Sequence, residues 1–236
     1  MNKVLVIEDD EDINRLLCRI LKKEGYDVIP AYSGTEARLR LEQEIPNLIL
    51  LDLMLPGMKG EELTTFIRNE KKSNVPIIIL SAKTALENKV ELITLGADDY
   101  ITKPFEPQEV LVRVMAALRR AGNGTKEEVN QGMKESGEKS FTFKNLILNP
   151  VSRTVKVREQ EISLTPHEYE ILFILLQQPE KVFSRDTLYE TVWENGYFGE
   201  DNTVNVHVSN IRKKIAAIDK EEEYIKTVWG IGFKMA

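Results

Sequence analysis

Three short apolar runs in the first half of this chain each end in a charge. Val4-Leu5-Val6-Ile7 closes on Glu8-Asp9-Asp10, Leu48-Ile49-Leu50-Leu51 closes on Asp52, and Tyr100-Ile101 leads into Lys103-Pro104. Runs that are apolar on both faces read as parallel strands buried between two layers, because a strand with one wet face alternates. Such strands are predicted at Lys3–Ile7, Asp27–Ala31, Leu48–Leu51, Ile77–Leu80 and Asp99–Ile101. Amphipathic stretches separate them at Asp10–Glu24, Thr35–Gln43, Glu61–Lys71, Leu86–Leu95 and Gln108–Arg120. Five strand–helix pairs predict a doubly wound α/β domain with a five-stranded parallel sheet over residues 1–120. In such sheets the chemistry gathers at the carboxyl ends of the strands. The acidic cluster, Asp52 and Lys103 therefore converge in one crevice. Acyl-phosphate chemistry needs that combination: carboxylates for a divalent cation, an aspartyl acceptor and a cation to neutralise phosphate.

Residues 121–139 (AGNGTKEEVNQGMKESGEK) are nearly free of large apolar side chains and read as a flexible linker. Beyond it the pattern changes. Alternating stretches at Phe141–Leu148, Thr154–Val157 and Glu161–Leu164 predict a small antiparallel sheet. Thr165-Pro166 with Glu168 forms a capping box that starts a helix. Further helices are expected at Ser184–Trp193 and Thr203–Ile215, then two strands, Tyr224–Trp229 and Phe233–Met235, around Gly230-Ile231-Gly232. Three helices closed by a hairpin outline an α+β winged helix-turn-helix over residues 140–236.

The formal charge of −6 carries no global sign of nucleic-acid binding, and residues 140–236 alone hold 12 basic and 14 acidic side chains. Any surface for nucleic acid must be local. The single cysteine, Cys18, excludes an internal disulfide and suits a reducing compartment. With no signal peptide and no long apolar span, the expected location is the cytoplasm.

The motifs VLVIEDD, LILLDLMLPGMKG, GADDYITKPF, LTPHEYEIL, TVNVHVSNIRKKI and IKTVWGIGFK together resemble the OmpR/PhoB family of two-component response regulators. The resemblance spans both halves of the chain and leaves out only the linker. Within the family, the YF-x4-NT-x-x-VH and YIKTVWGIGFK stretches look most like VanR-type regulators.

The resemblance implies roles residue by residue. A sensor histidine kinase phosphorylates Asp52 to an acyl phosphate, which the protein slowly hydrolyses without being a turnover enzyme. Glu8, Asp9 and Asp52, with the Met54 backbone carbonyl, hold Mg2+, while Asp10 lies outside the site. Lys103, ahead of a cis Pro104, pairs with a phosphoryl oxygen. Ser81 bonds the phosphoryl group, and Tyr100 turns inward when Ser81 moves. The receiver dimerises through Lys89–Glu109, Asp99–Arg113 and Asp98–Arg120 pairs around Val90, Ile93 and Leu111.

For DNA, the helix Thr203–Ile215 turns Val204, Val208, Ile211 and Ile215 to the core and Asn205, Val206, Ser209, Asn210, Arg212 and Lys213 to the major groove. Thr203, His207, Thr227 and Trp229 complete the DNA-facing set, on promoter sites arranged as direct repeats. Relatives often carry basic residues at Ser209 and Asn210 and a wing arginine at Trp229, so the contact details here differ. Trp229 is expected to pack along the DNA backbone or to brace its hairpin. His167 is expected to be solvated. The loop Glu194–Asn202, with Tyr197 and Phe198, faces RNA polymerase in the family.

Two other readings of the same residues exist. A haloacid-dehalogenase-like phosphatase also uses a strand-end aspartate and Mg2+, but places a second aspartate two residues on, where this chain has Met54. A scaffold that binds DNA without phosphorylation would share the architecture. No glycine-rich P-loop is present, which argues against a kinase.

Overall fold

The structure, a computed structural model, describes residues 1–82, 93–122, 140–193 and 202–236. The chain divides into two compact units, Met1–Ala121 and Gly122–Ala236.

In the first unit the strands are β1 (Lys3–Ile7), β2 (Asp27–Ala31), β3 (Leu48–Asp52), β4 (Ile77–Ser81) and β5 (Asp99–Thr102). They form one parallel sheet in the order β2-β1-β3-β4-β5. Alternate residues feed two separate cores. Leu5, Ile7, Ile49, Leu51, Ile77 and Ile79 enter one cluster, and Val4, Val6, Leu48, Leu50, Ile78 and Leu80 the other. That is why β1, β3 and β4 are apolar at every position but one end.

Helices α1 (Glu11–Lys23), α2 (Gly34–Gln43), α3 (Gly60–Thr65) and α4 (Pro107–Gly122) connect and flank the sheet. Asp10 caps α1 by accepting the Asp12 and Ile13 N–H groups at 2.9 and 3.0 Å, which explains its absence from the crevice chemistry. The helix expected over Glu61–Lys71 is α3 followed by a π-helical turn, Phe66–Glu70. That turn carries Arg68, whose guanidinium reaches the Gly96 and Ser73 carbonyls at 2.8 Å each and the Asp98 carboxylate at 2.9 Å. Most of the expected Leu86–Leu95 helix lies outside the described residues.

In the second unit β6 (Phe141–Phe143), β7 (Leu146–Asn149), β8 (Thr154–Val157) and β9 (Gln160–Ile162) form an antiparallel meander. The stretch read as one strand, Phe141–Leu148, is a hairpin that turns at Lys144, whose φ is 51°. Helices α5 (Pro166–Gln177), α6 (Arg185–Trp193) and α7 (Asn202–Ala216) follow. The closing hairpin is β11 (Ile225–Val228) and β12 (Gly232–Met235). A two-residue strand not foreseen, β10 (Phe183–Ser184), pairs with β12 and anchors the hairpin ahead of α6. Among the described residues no helix is long and apolar enough to cross a membrane.

Candidate functional site

Glu8 follows β1, Asp52 ends β3, Ser81 ends β4 and Lys103 follows β5, so the sheet itself brings them to one edge. One carboxylate oxygen each from Glu8, Asp9 and Asp52 lies within 4.8 Å of the others. Three hard oxygen donors at that spacing suit Mg2+ or Ca2+ and not a soft metal. The Lys103 ammonium bonds Asp52 and both Glu8 oxygens, the latter at 2.6 and 2.9 Å. The Lys103–Pro104 peptide is cis.

Glu8 and Asp52 are buried, Asp9 is exposed. Burial, helped by the Asp52 charge, pushes the Glu8 carboxyl up to about 7 against the downward pull of the Lys103 hydrogen bond. For Lys103, burial favours the neutral amine, but the bonds to Asp52 and Glu8 outweigh it and raise its pKa. The Met54 N–H donates to Asp52 Oδ1 at 2.8 Å, fixing the carboxylate's orientation. Ser81 is buried beside this group and its carbonyl accepts the Lys103 N–H at 2.8 Å. Tyr100 is half-buried against the sheet's apolar cluster.

Asn14 was not foreseen. It is fully buried on α1, and its Nδ2 donates to the Glu8 and Ala31 carbonyls, both at 3.0 Å. It holds the ends of β1 and β2 together and so sets where the acidic cluster stands. The only signal for it is an amide one turn into the helix that follows the acids. Cys18, half-buried on the same helix, donates to Asn14 Oδ1 at 3.3 Å, and burial raises its thiol pKa.

The residues expected at a dimer face divide. Arg113 Nη1 reaches the Asp99 oxygens at 2.8 and 2.9 Å within the chain, and Glu109 lies 3.0 Å from Arg113 Nη2. Leu111 is half-buried on α4. Asp98 departs from the exposed position expected of it: it is fully buried, held by Arg68 and by the Ile77 N–H at 2.9 Å within the chain. Arg120 and Ile93 are also buried, at 5 % and 1 % exposure. Lys89 and Val90 lie outside the described residues.

On α7, Val204, Val208, Ile211 and Ile215 are in the core as periodicity requires. The buried arc is wider than that one stripe, however. His207 is 1 % exposed, its ring 5.6 Å from that of His167, which stacks on Trp193 at 4.4 Å. Tyr189 extends the pile, 4.8 Å from Trp193. Both histidines are thus core residues joining α5, α6 and α7, neither solvated nor against a DNA backbone. Thr203, Val206 and Asn210 flank His207 at helical spacing and are buried with it, contrary to the outward projection expected of them.

Ser209 and Lys213 are exposed, and Asn205 and Arg212 half-buried. Arg212 bonds the Ile225 carbonyl at 2.7 and 3.0 Å and Thr227 Oγ1 at 2.9 Å, so it points into the hairpin. Burial lowers its pKa. Trp229 is 91 % exposed, which removes the expectation that it braces the hairpin. The loop Glu194–Asn202, with Tyr197 and Phe198, is not described beyond the start of α7.

Residues 4–115 match the response regulator receiver domain, and residues 159–235 match the C-terminal domain of transcriptional regulatory proteins. The transcriptional regulatory protein SrrA of Staphylococcus aureus is 40% identical over 235 residues, which cover 99% of this chain and 95% of SrrA. This chain belongs to the OmpR/PhoB family of response regulators. Among solved structures, a mutant form of RitR matches with a TM-score of 0.75 at 28% identity, covering 100% of this chain and 99% of that one. DrrB, an OmpR/PhoB homologue from Thermotoga maritima, covers the same shares at 29% identity with a TM-score of 0.50. As a response regulator the protein is a transcription factor controlled through its receiver domain, not a metabolic enzyme.

Proposed function

We propose that a sensor histidine kinase transfers a phosphoryl group to Asp52, and that the modified receiver pairs with a second copy and brings two winged-helix domains onto promoter DNA. The carrying observation is the Lys103 ammonium held between Asp52 and Glu8, with the Asp9 carboxylate beside them. An Asp52 oxygen attacks phosphorus, the P–N bond of the kinase phosphohistidine breaks, and the imidazole leaves with its electron pair. Lys103 follows the charge onto the new phosphoryl oxygens. Ser81 bonds one of them and Tyr100 responds to that shift.

Glu8, Asp9 and Asp52, with the Met54 carbonyl, are the groups to hold Mg2+. When bound, the ion offsets the repulsion between carboxylates and phosphoryl oxygens. The acyl phosphate is lost slowly by hydrolysis, and the protein works in the cytoplasm. Pairing between copies uses Asp99, Glu109, Leu111 and Arg113. Duplex DNA meets Asn205, Ser209 and Lys213 of α7 and the hairpin β11–β12, with RNA polymerase recruited beside it.

The test is to treat the full chain with acetyl phosphate or a phosphoramidate and Mg2+, then to record intact mass and binding to duplexes selected from a random library. One acid-labile phosphoryl group on wild type, none on Asp52→Asn, and tighter DNA binding only for wild type are the expected results. Phosphate released over many turnovers from small substrates would favour a phosphatase instead.

A further inference from the structure

The hairpin β11–β12 ends in two large apolar side chains that no described residue covers: Trp229 is 91 % exposed and Ile231 56 %. They flank Gly230, whose φ of 74° and free surroundings make the tip a tight turn, closed by the Ile231 N–H to the Val228 carbonyl at 3.0 Å. The base of the hairpin is rigid. Val228 pairs with Gly232, and Gly232 packs so closely on β10 that a Cβ there would lie 1.9 Å from the Phe183 carbonyl oxygen. Arg212 ties β11 to α7 through Ile225 and Thr227. An apolar point is thus carried on a stiff support, where a flexible loop would fold the indole away from water.

Charge identifies what the point meets. In a domain that is acidic as a whole, α7 and the hairpin carry Arg212, Lys213, Lys214, Lys226 and Lys234 and no acid. Arg212 is spent inside the hairpin, Lys214 pairs with Glu168 and Lys234 with Glu180, which leaves Lys213 on α7 and Lys226 on β11 exposed as the flanking cations. The acids gather in the intervening turn, at Asp219 and Glu221-Glu222-Glu223. A surface cationic on its flanks and apolar at its tip suits a polyanion with a stacked apolar interior, which is duplex DNA. A protein groove that accepts Trp229 would have no need of the cations.

We infer that Trp229, with Ile231 beside it, is a wedge that enters the minor groove, partly unstacks one base step and bends the duplex. Apolar side chains kink DNA in this way, and pyrimidine–purine steps yield most easily. The wedge would give the protein a preference at a step that no hydrogen bond reads. It rests on the duplex-DNA reading above and adds to it a specific distortion.

The experiment uses the phosphorylated full chain and duplexes it retains from a random library, with 2-aminopurine placed in turn at each adenine and dyes at the ends. Wild type should brighten 2-aminopurine at one step and shorten the end-to-end distance. Trp229→Ala should lose both signals and bind about tenfold more weakly, with an unchanged circular dichroism spectrum, since the side chain is exposed. Trp229→Arg should recover affinity without restoring the 2-aminopurine signal. Retained duplexes that wild type neither bends nor brightens would overturn the wedge and leave DNA binding intact, as would equal bending by Trp229→Ala. Failure to retain any duplex would remove the DNA reading and the wedge together, leaving a protein partner for the tip.

Discussion

Arg212 grips the Ile225 carbonyl through two guanidinium nitrogens, at 2.7 and 3.0 Å, and so binds the middle of α7 to the first strand of the hairpin. Helical periodicity offers this arginine as a base reader, whereas its bonds make it a brace. Arg212→Ala should therefore speed amide exchange across Ile225–Val228 and lower the domain's stability by about 1–2 kcal/mol. DNA affinity should fall by a similar factor on every sequence. Hydrogen exchange with binding titrations checks this, and a loss confined to one base pair would make Arg212 a reader after all.

Lys213, exposed one residue further on, is free to meet phosphate. Lys213→Ala should flatten the dependence of log affinity on log salt by about 0.9. Titrations of wild type and variant at several salt concentrations on one duplex give both slopes, and equal slopes would place Lys213 away from the backbone.

At the crevice, Asp52→Asn should abolish phosphorylation, while Lys103→Ala should still accept the group yet fail to transmit it. Intact mass reports the first effect and sedimentation the second. A Lys103→Ala protein that dimerises normally on phosphorylation would deny the lysine its coupling role.

Arg113 already satisfies Asp99 and Glu109 within one chain. Arg113→Glu would set three carboxylates together, so its unfolding temperature should drop while Asp52 remains a phosphate acceptor. The phosphorylated variant should sediment as a monomer. A normal dimer from it would move the pairing surface off α4.

Asp219 accepts bonds from Asn145 Nδ2 at 3.0 Å and the Tyr224 hydroxyl at 2.8 Å, and Arg158 lies 2.9 Å away. These partners, Asn145 foremost, hold its pKa well below the usual carboxylate range. A depressed folded-state pKa stabilises fully above the unfolded value, about 4, and the contribution vanishes as pH falls towards the folded value. Asp219→Asn should thus melt earlier than wild type at pH 7, with the gap closing below about pH 4. Thermal melts across that range decide it, and a gap independent of pH would mean the carboxylate's charge is irrelevant.

The receiver was legible because its central strands β1, β3 and β4 are buried on both faces and three strands, β1, β3 and β5, close on a charge. Asp52 and Ser81 prove to be the last residues of β3 and β4, which is where a strand-end reading puts them. What sequence hid was burial of polar groups by partners far along the chain. Asp98 reads as half of an exposed acidic pair, yet Arg68, thirty residues earlier, draws it inside. His207 sits at a position that periodicity leaves ambiguous, and only the rings of His167 and Trp193 decide that it is core. Patterning reports which stripe is apolar, not whether an aromatic stack widens it.

At Gly60 the chain lies directly on the acceptor strand: a Cβ there would fall 2.7 Å from the Asp52 carbonyl oxygen and from the Leu53 Cα. The course of the loop over the crevice is thereby fixed, backbone on backbone, with no room for a side chain to lift it. On the proposed phosphorylation of Asp52, a change in the lifetime of the acyl phosphate falls to outward side chains such as Met54, 68 % exposed beside Asp52. The timer can be reset without moving the roof.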